Sequence, residues 1–254
     1  MKLATWNVNS LKVRLPQLLS WLAMQRPDVV CLQETKCEDA NFPAEAIRAV
    51  GYAPLFTGQK AYNGVAILAR QAGTDVVAAL PGFDDEQKRV LAATIDGVRV
   101  VCIYVPNGES VESDKYKYKL AWLDALCAWV KDEVQKHPLL ALLGDYNIAP
   151  EDRDVYDPRL WEGKVLFSAP EKAVFQRLLA FGLKDSFRLF DQPDKSFSWW
   201  DYRMNQFKRD MGLRIDHILV SNALAARCKT SFIDRDMRAQ ERPSDHAPVV
   251  LELT

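Results

Sequence analysis

Residues 90–105 read VLAATIDGVRVVCIYV. Two apolar, β-branched runs, 90–95 and 98–105, flank Asp96-Gly97, and that dipeptide between such runs is a strong signal for a two-residue hairpin. The pair is therefore antiparallel. Residues 116–134 then carry Leu120, Leu123, Ala125, Leu126 and Val130 at helical spacing. His137-Pro138 stops that helix, and Leu139–Leu143 follows as a short apolar strand. A hairpin, a covering helix and a buried strand in succession predict a mixed sheet with helices outside it, not a purely parallel doubly wound one.

The same alternation runs outward from there. Residues 2–8, KLATWNV, read as a strand. Asn9 or Ser10 is a candidate cap for the next helix, with Pro16 near its start and Leu15, Leu18, Leu19 and Leu22 on one face. Arg26-Pro27 ends it, and DVVCLQ at 28–33 is the next buried strand. Further strands are expected at 63–69, 213–220 and 247–253, and a helix at 171–181 with Gly182 as its C-cap. With no linker, repeat or low-complexity tract, residues 1–254 are read as one domain.

Bulk composition limits the function classes. The chain is 48% hydrophobic and 26% charged, as globular proteins are. No run of about 18 apolar residues marks a membrane span. The apolar run in MKLATWNVNS is too short for a signal peptide. Five cysteines without a Cys-x-x-Cys suggest neither zinc nor a disulfide framework, so reduced thiols in the cytoplasm are expected. A net charge of −1 argues against coating nucleic acid by bulk charge but leaves room for a local basic groove. Lys115, Lys117 and Lys119 form one basic cluster, Arg203, Lys208, Arg209 and Arg214 a second, and Arg235, Arg238 and Arg242 a third.

The polar residues at the ends of these strands carry the chemistry. They are Asn7, Glu34, Asp145, Asn147, Asp216, Asp245 and His246. Carboxylates and amides ending buried strands are costly unless they meet a partner. A donor set rich in oxygen suits Mg²⁺ or Mn²⁺ rather than zinc. Such ions activate water and offset charge during attack at phosphorus.

Seven segments, in order, resemble the signatures of exonuclease III-type abasic endonucleases. They are TWNVN at 5–9, LQETK at 32–36, YVPNG at 104–108, GDYN at 144–147, FSWWDYR at 197–203, LRID at 213–216 and PSDHAP at 243–248. The resemblance spans essentially the whole chain. It implies a four-layer α/β sandwich of two mixed β-sheets flanked by helices, the deoxyribonuclease I-like fold, with the active site at one edge. It also implies Mg²⁺-dependent hydrolysis of damaged double-stranded DNA, 5′ to abasic sites and at blocked 3′ ends, by a monomer with no obligate protein partner.

Roles follow position by position. Glu34 matches the family's principal metal ligand, with Asn7 beside it, and Asn9 stands where some relatives have Asp. Asp145 matches the residue that positions or deprotonates the attacking water, and Asn147 one that holds a phosphate oxygen or the nucleophile. His246 matches the histidine at the scissile phosphate, Asp216 its carboxylate partner, and Asp245 a second carboxylate near the metal. The expected donor set is thus Asn7, Glu34, Asp145, Asn147, Asp245 and His246. Tyr104 matches a phosphate-contacting tyrosine. Trp199, Leu213 and Ile215 match the pocket for a flipped, baseless sugar, and Asn107, Lys115 and Arg203 are expected on the DNA backbone. The Asp216–His246 pair should raise the histidine's pKa. A cationic His246 with Asp145 as base, and a neutral His246 as base, are both chemically possible. His217 follows Asp216 on an alternating strand, so it should face the other side as a structural residue. Two rivals stand beside this reading. A lipid phosphodiesterase of the same fold needs an exposed apolar insertion, which the sequence lacks. A regulator that binds nucleic acid without catalysis predicts lost catalytic residues, and here they are present.

Overall fold

The computed structural model describes residues 1–254. The strands in chain order are β1 (Lys2–Asn7), β2 (Val29–Gln33), β3 (Ala53–Thr57), β4 (Val65–Ala69), β5 (Thr74–Val77), β6 (Val90–Ile95), β7 (Val98–Tyr104), β8 (Leu140–Asp145), β9 (Leu183–Asp185), β10 (Asp216–Ser221), β11 (Cys228–Ile233) and β12 (Val249–Leu253). The helices are α1 (Leu11–Gln25), α2 (Ala44–Ala49), α3 (Asp114–Lys136), α4 (Pro158–Trp161), α5 (Ala169–Ala180) and α6 (Asn222–Ala225). They build two six-stranded sheets, ordered β11-β12-β1-β2-β4-β3 and β5-β6-β7-β8-β10-β9. Each sheet has one parallel pair at its centre, β1 with β2 and β7 with β8, and antiparallel neighbours elsewhere. The expected mixed sandwich flanked by helices is the observed architecture.

The period-two alternation of the central strands sorts their side chains into three apolar layers. Leu3, Cys31 and Ile67 from one sheet meet Val100, Leu143 and Ile218 from the other in the sandwich interior. Trp6, Val30 and Leu32 on the outer face of the first sheet pack on Leu18, Trp21 and Leu22 of α1. Val101, Ile103 and Leu142 pack on Trp122, Leu123 and Leu126 of α3 and on Phe175 and Leu178 of α5. Burying each such side chain contributes about 1.5–3 kcal/mol.

The Asp96-Gly97 turn has both residues at positive φ, +48° and +76°, the geometry that matches strand twist. Helix α1 departs from expectation. Pro16 lies inside it rather than at its start, and Ser10, at φ +89°, makes no side-chain cap. The carbonyls of Glu34 and Thr35 accept from the amides of Ser10 and Leu11 instead, at 2.8 and 3.0 Å. The loop after β2 therefore caps α1. No helix is long and apolar enough to cross a membrane.

Register fixes where the polar residues collect. Tyr104 pairs with Asp145, and Asp145 with Asp216, in one row across β7, β8 and β10. Alternation turns that row toward the sandwich interior, as it does Leu143 and Ile218. In the other sheet Asn7 pairs with Gln33 at the ends of β1 and β2. The carboxyl ends of both parallel pairs thus open at the same edge of the sandwich, where ligand sites collect in α/β sheets.

Candidate active site

Backbone geometry aims each side chain. Glu34, one residue past β2, has φ +52°, a rare conformation for a non-glycine residue and one that clusters at functional sites. Gly144 lies so close to β7 that a Cβ there would stand 1.9 Å from the Ile103 carbonyl. Only glycine lets β8 run tight against β7 and set Asp145 beside Tyr104. Asn147, at φ +47°, turns its amide back onto Asp145 Oδ1 at 2.9 Å. The His246 segment is held on several sides. The Trp6 indole donates to the His246 carbonyl at 3.1 Å, Ser244 Oγ donates to the Asn7 carbonyl at 2.7 Å, and the Ala247 amide donates to the Ser198 carbonyl at 2.7 Å.

At the centre, Asn7 Nδ2 donates to Glu34 Oε1 and to Asp145 Oδ2, both at 2.9 Å. One amide thus bridges the two carboxylates. His246 Nδ1 lies 2.9 Å from Asp216 Oδ2, and its Nε2 lies 3.8 Å from Asp145 Oδ2. Ser198 Oγ donates to Asp216 Oδ2 at 2.7 Å and accepts from the Ile215 and Asp216 amides at 3.1 Å, so the buried Asp216 is anchored.

Charge follows from this packing. Burial alone would push His246 down, but Asp216 and Asp145 outweigh it and raise its pKa to about 10, so it is cationic at neutral pH. Burial raises Asp145, with Asp216 adding to the rise and the His246 cation opposing it. Burial would also raise Glu34, yet Lys36, 2.8 Å from its Oε2, and Asn7 hold it below the ordinary range. Burial and the Glu34 and Asp145 charges push the Tyr104 hydroxyl well up, so it stays a neutral donor.

Of the expected metal donors, Glu34, Asp145 and His246 offer atoms all within 4.8 Å of one another. Two carboxylates joined by the Asn7 amide suit a hard divalent cation that keeps several of its waters. A doubly protonated His246 offers two N–H donors and no lone pair, so of this group it is the one that could ligate only in its neutral form. Asp245 lines the same cleft outside that 4.8 Å group, accepting from Asn9 Nδ2 at 2.9 Å and Trp199 Nε1 at 3.0 Å. Asn147 is engaged with Val105 O at 3.0 Å and Asn107 Nδ2 at 3.1 Å.

These groups line a cleft of about 150 Å³ with Tyr104, Asn107, Leu166, Trp199, Ile215 and Asp245. Leu213 does not reach it. It is fully buried one layer behind, packed with Leu166 and Ile215. Arg203 points to solvent and pairs with Asp201, and Lys115, also exposed, pairs with Glu109 at 2.9 Å. Three members of the expected basic clusters are not surface charges. Lys119 and Arg214 are buried and ion-paired, and Arg238 is buried and donates to the Trp200 carbonyl at 3.2 Å. His217 faces away from the cleft as expected, with Nδ1 3.0 Å from Arg214 Nη1 and Nε2 2.8 Å from the Ile148 carbonyl. Leu166 in the cleft wall lies in the 163–170 loop that the sequence reading sets near the pocket, though the residue itself is not singled out there, and neither is Ser198 beneath Asp216. Ser198 lies inside the FSWWDYR segment, and that was its only signal.

The cleft opens at Tyr104 and Asn107 into a groove of about 590 Å³ lined by Tyr62, Arg89 and Lys115. A second groove, of about 560 Å³, carries Lys12, Lys36 and Lys60.

Residues 4–246 match the Endonuclease/Exonuclease/phosphatase family. The chain is 38% identical to exodeoxyribonuclease III of Haemophilus influenzae over 99% of both proteins. Among solved structures, the 3′ phosphatase NExo from Neisseria, bound to a product DNA hairpin, superposes with a TM-score of 0.99 at 50% identity, covering 100% of this chain and 99% of that one. An AP endonuclease from Archaeoglobus fulgidus superposes with a TM-score of 0.96 at 35% identity, again over 100% and 99%.

Proposed function

Because the chain belongs to the endonuclease/exonuclease/phosphatase family, we propose that it is a metal-dependent DNA-repair phosphodiesterase that removes blocking groups or nucleotides from 3′ ends and cuts 5′ to abasic sites. The observation that carries this reading is the Glu34–Asp145–His246 cluster within 4.8 Å, at the floor of a cleft half closed by Leu166, Trp199 and Ile215. At about 150 Å³ the cleft is smaller than the ~300 Å³ of ordinary ligand pockets. That size suits a sugar-phosphate without its base better than an intact nucleotide. A base already lost or unstacked is also the least costly to bring out of a duplex.

A divalent cation, Mg²⁺ or Mn²⁺, held by Glu34 and Asp145 would neutralise charge on the phosphate oxygens. The chain's own groups do the rest. Cationic His246, its Nδ1–H fixed on Asp216, presents Nε2–H to a phosphate oxygen and stabilises charge as it develops. Asp145, made more basic by burial and oriented by Asn7 and the Asn147 amide, takes the proton of the attacking water as its oxygen bonds to phosphorus. The P–O3′ bond breaks, and the departing 3′ oxygen is protonated from solvent. Tyr104, neutral and half-buried, donates to the phosphate, and Asn147 and Asn107 flank it. Lys115 in one groove and Lys12 and Lys60 in the other meet the DNA backbone, where contacts position the duplex without reading sequence.

The reaction as proposed calls on Glu34, Asp145 and His246 of a single chain. Five unpaired cysteines suit a reducing cytoplasm. The test is cleavage of three labelled duplexes, one with an internal abasic site, one with a 3′-phosphate at a nick and one undamaged, each with Mg²⁺ and with chelator. Metal-dependent cleavage of a damaged duplex is expected, and the relative rates name the preferred lesion. Binding without cleavage of any duplex would move the weight to a non-catalytic regulator.

A further inference from the structure

Behind the cleft lies an ion pair that the chemistry above does not use. Lys119 on α3 and Glu171 on α5 are both fully buried and bonded to each other. Lys119 Nζ also donates to the Asn147 carbonyl at 2.7 Å and the Asn107 carbonyl at 3.1 Å, so all three ammonium protons have acceptors. Glu171 is equally occupied. Its Oε1 accepts from the Leu166 amide at 3.0 Å, and its Oε2 accepts from the Ser168 amide at 3.0 Å and from Ser168 Oγ at 2.5 Å. Packing around the lysine stem is close, and a Cβ on Gly108 would stand 3.1 Å from Lys119 Cδ.

Buried ion pairs are weak evidence for stability, because desolvation offsets much of the attraction and an apolar pair packs as well. What an apolar pair could not do is hold two backbone carbonyls and two amides. Three of these four groups belong to Asn107, Asn147 and Leu166, all of which line the cleft. Asn107 and Asn147 come from the loops after β7 and β8, and their side chains bond each other at 3.1 Å. Leu166 forms the facing wall, at φ +76°, and its carbonyl accepts from the Ala149 amide at 2.8 Å.

We propose that the Lys119–Glu171 pair is a positioning device for the reaction: it fixes the phosphate-side asparagines relative to the pocket wall, so that chemistry and pocket stay in register. The inference rests on the phosphodiesterase reading for its kinetic consequence, but not for its structural one. Lys119→Met keeps the stem and removes the three donors. Glu171→Gln keeps the shape of the acceptor and removes its charge, and serves if Lys119→Met does not fold. The control is Glu133→Gln, in the comparably buried Arg99–Glu133 pair at the far end of β7.

In single-turnover assays on the best wild-type substrate, Lys119→Met should lose at least tenfold in the maximal rate, with the half-saturating concentration changed less than threefold. Glu171→Gln should lose less, and Glu133→Gln should stay within threefold of wild type. Hydrogen exchange, read independently of activity, should speed at least tenfold at the amides of Ala149, Leu166 and Ser168 in Lys119→Met and not in Glu133→Gln. Rates within threefold of wild type for the two pair variants, or exchange no faster than in the control, would overturn the proposal. A wild-type protein inactive on every duplex would instead overturn the functional reading, and the positioning claim would then be decided by exchange alone.

Discussion

Asp216→Asn tests the electrostatics of the site most sharply. The side chain of Asp216 is fully buried, its Oδ2 is 2.9 Å from His246 Nδ1, and it is the largest influence raising that histidine. Lifting His246 from 6.5 to about 10 against its own burial corresponds to about 5 kcal/mol between its two protonation states. Asparagine keeps the shape and can still accept from Ser198 and the imidazole, but the charge is gone. Asp145 remains, 3.8 Å from Nε2, and burial now works less opposed. We expect the histidine to fall by at least about 2 pH units. Cleavage by the wild type should therefore hold its plateau up to about pH 10, whereas the variant should lose activity above about pH 8. The assay is a single-turnover rate on a 3′-phosphate duplex between pH 6 and 10.5, at fixed ionic strength and saturating metal. An alkaline limb unmoved by the substitution would refute the argument. So would a variant rate that rises through pH 8, because neutral His246 would then be the base.

Three further outcomes follow from the same geometry. Ser198→Ala strands the Ile215 and Asp216 amides and unties the Asp216 carboxylate, so urea denaturation should show a loss of about 2 kcal/mol with a reduced rate. His217 is held down to about 4, by burial first and by Arg214 second, while the unfolded chain takes up the proton near 6.5. Stability that is complete above pH 6.5 is therefore lost as pH falls to about 4, by about 3 kcal/mol from this group, and His217→Asn should flatten that part of the pH–stability curve. Lys115→Ala, exposed in the groove beside Asn107, should weaken binding to all duplexes alike and reduce the slope of log affinity against log salt by about 1.

Central elements were the legible ones. The strands that bear the site, β1, β2, β7, β8 and β10, are buried on both faces, so their apolar runs and polar ends stand out in one dimension. The strands left unread, β3, β5, β9 and β11, are the four sheet edges. They are short or partly exposed, TDVV in β5 being an example, and lack the alternation that marks a half-buried strand. Pro16 read as a helix start because proline favours a first turn, whereas contacts from Glu34 and Thr35 begin the helix earlier. Lys119 and Arg214 read as surface charges because their partners, Glu171 and Asp154, lie 52 and 60 residues away. Leu166 lies in the 163–170 loop expected near the pocket, but nothing in its immediate neighbours singles it out. Its place in the cleft is set by Glu171 and Ala149, which only the folded chain brings to it.

The central claim is that Asp145 and its neighbours form the phosphodiester-cleaving centre, and Asp145→Asn tests it most directly. Cleavage and affinity would be measured side by side on the same damaged duplex, with Mg²⁺ present. A rate lowered at least about a hundredfold, with duplex affinity within a few fold of wild type and an unchanged fold by circular dichroism, is the predicted result. Cleavage at the wild-type rate, or equal loss of cleavage and binding, would contradict it.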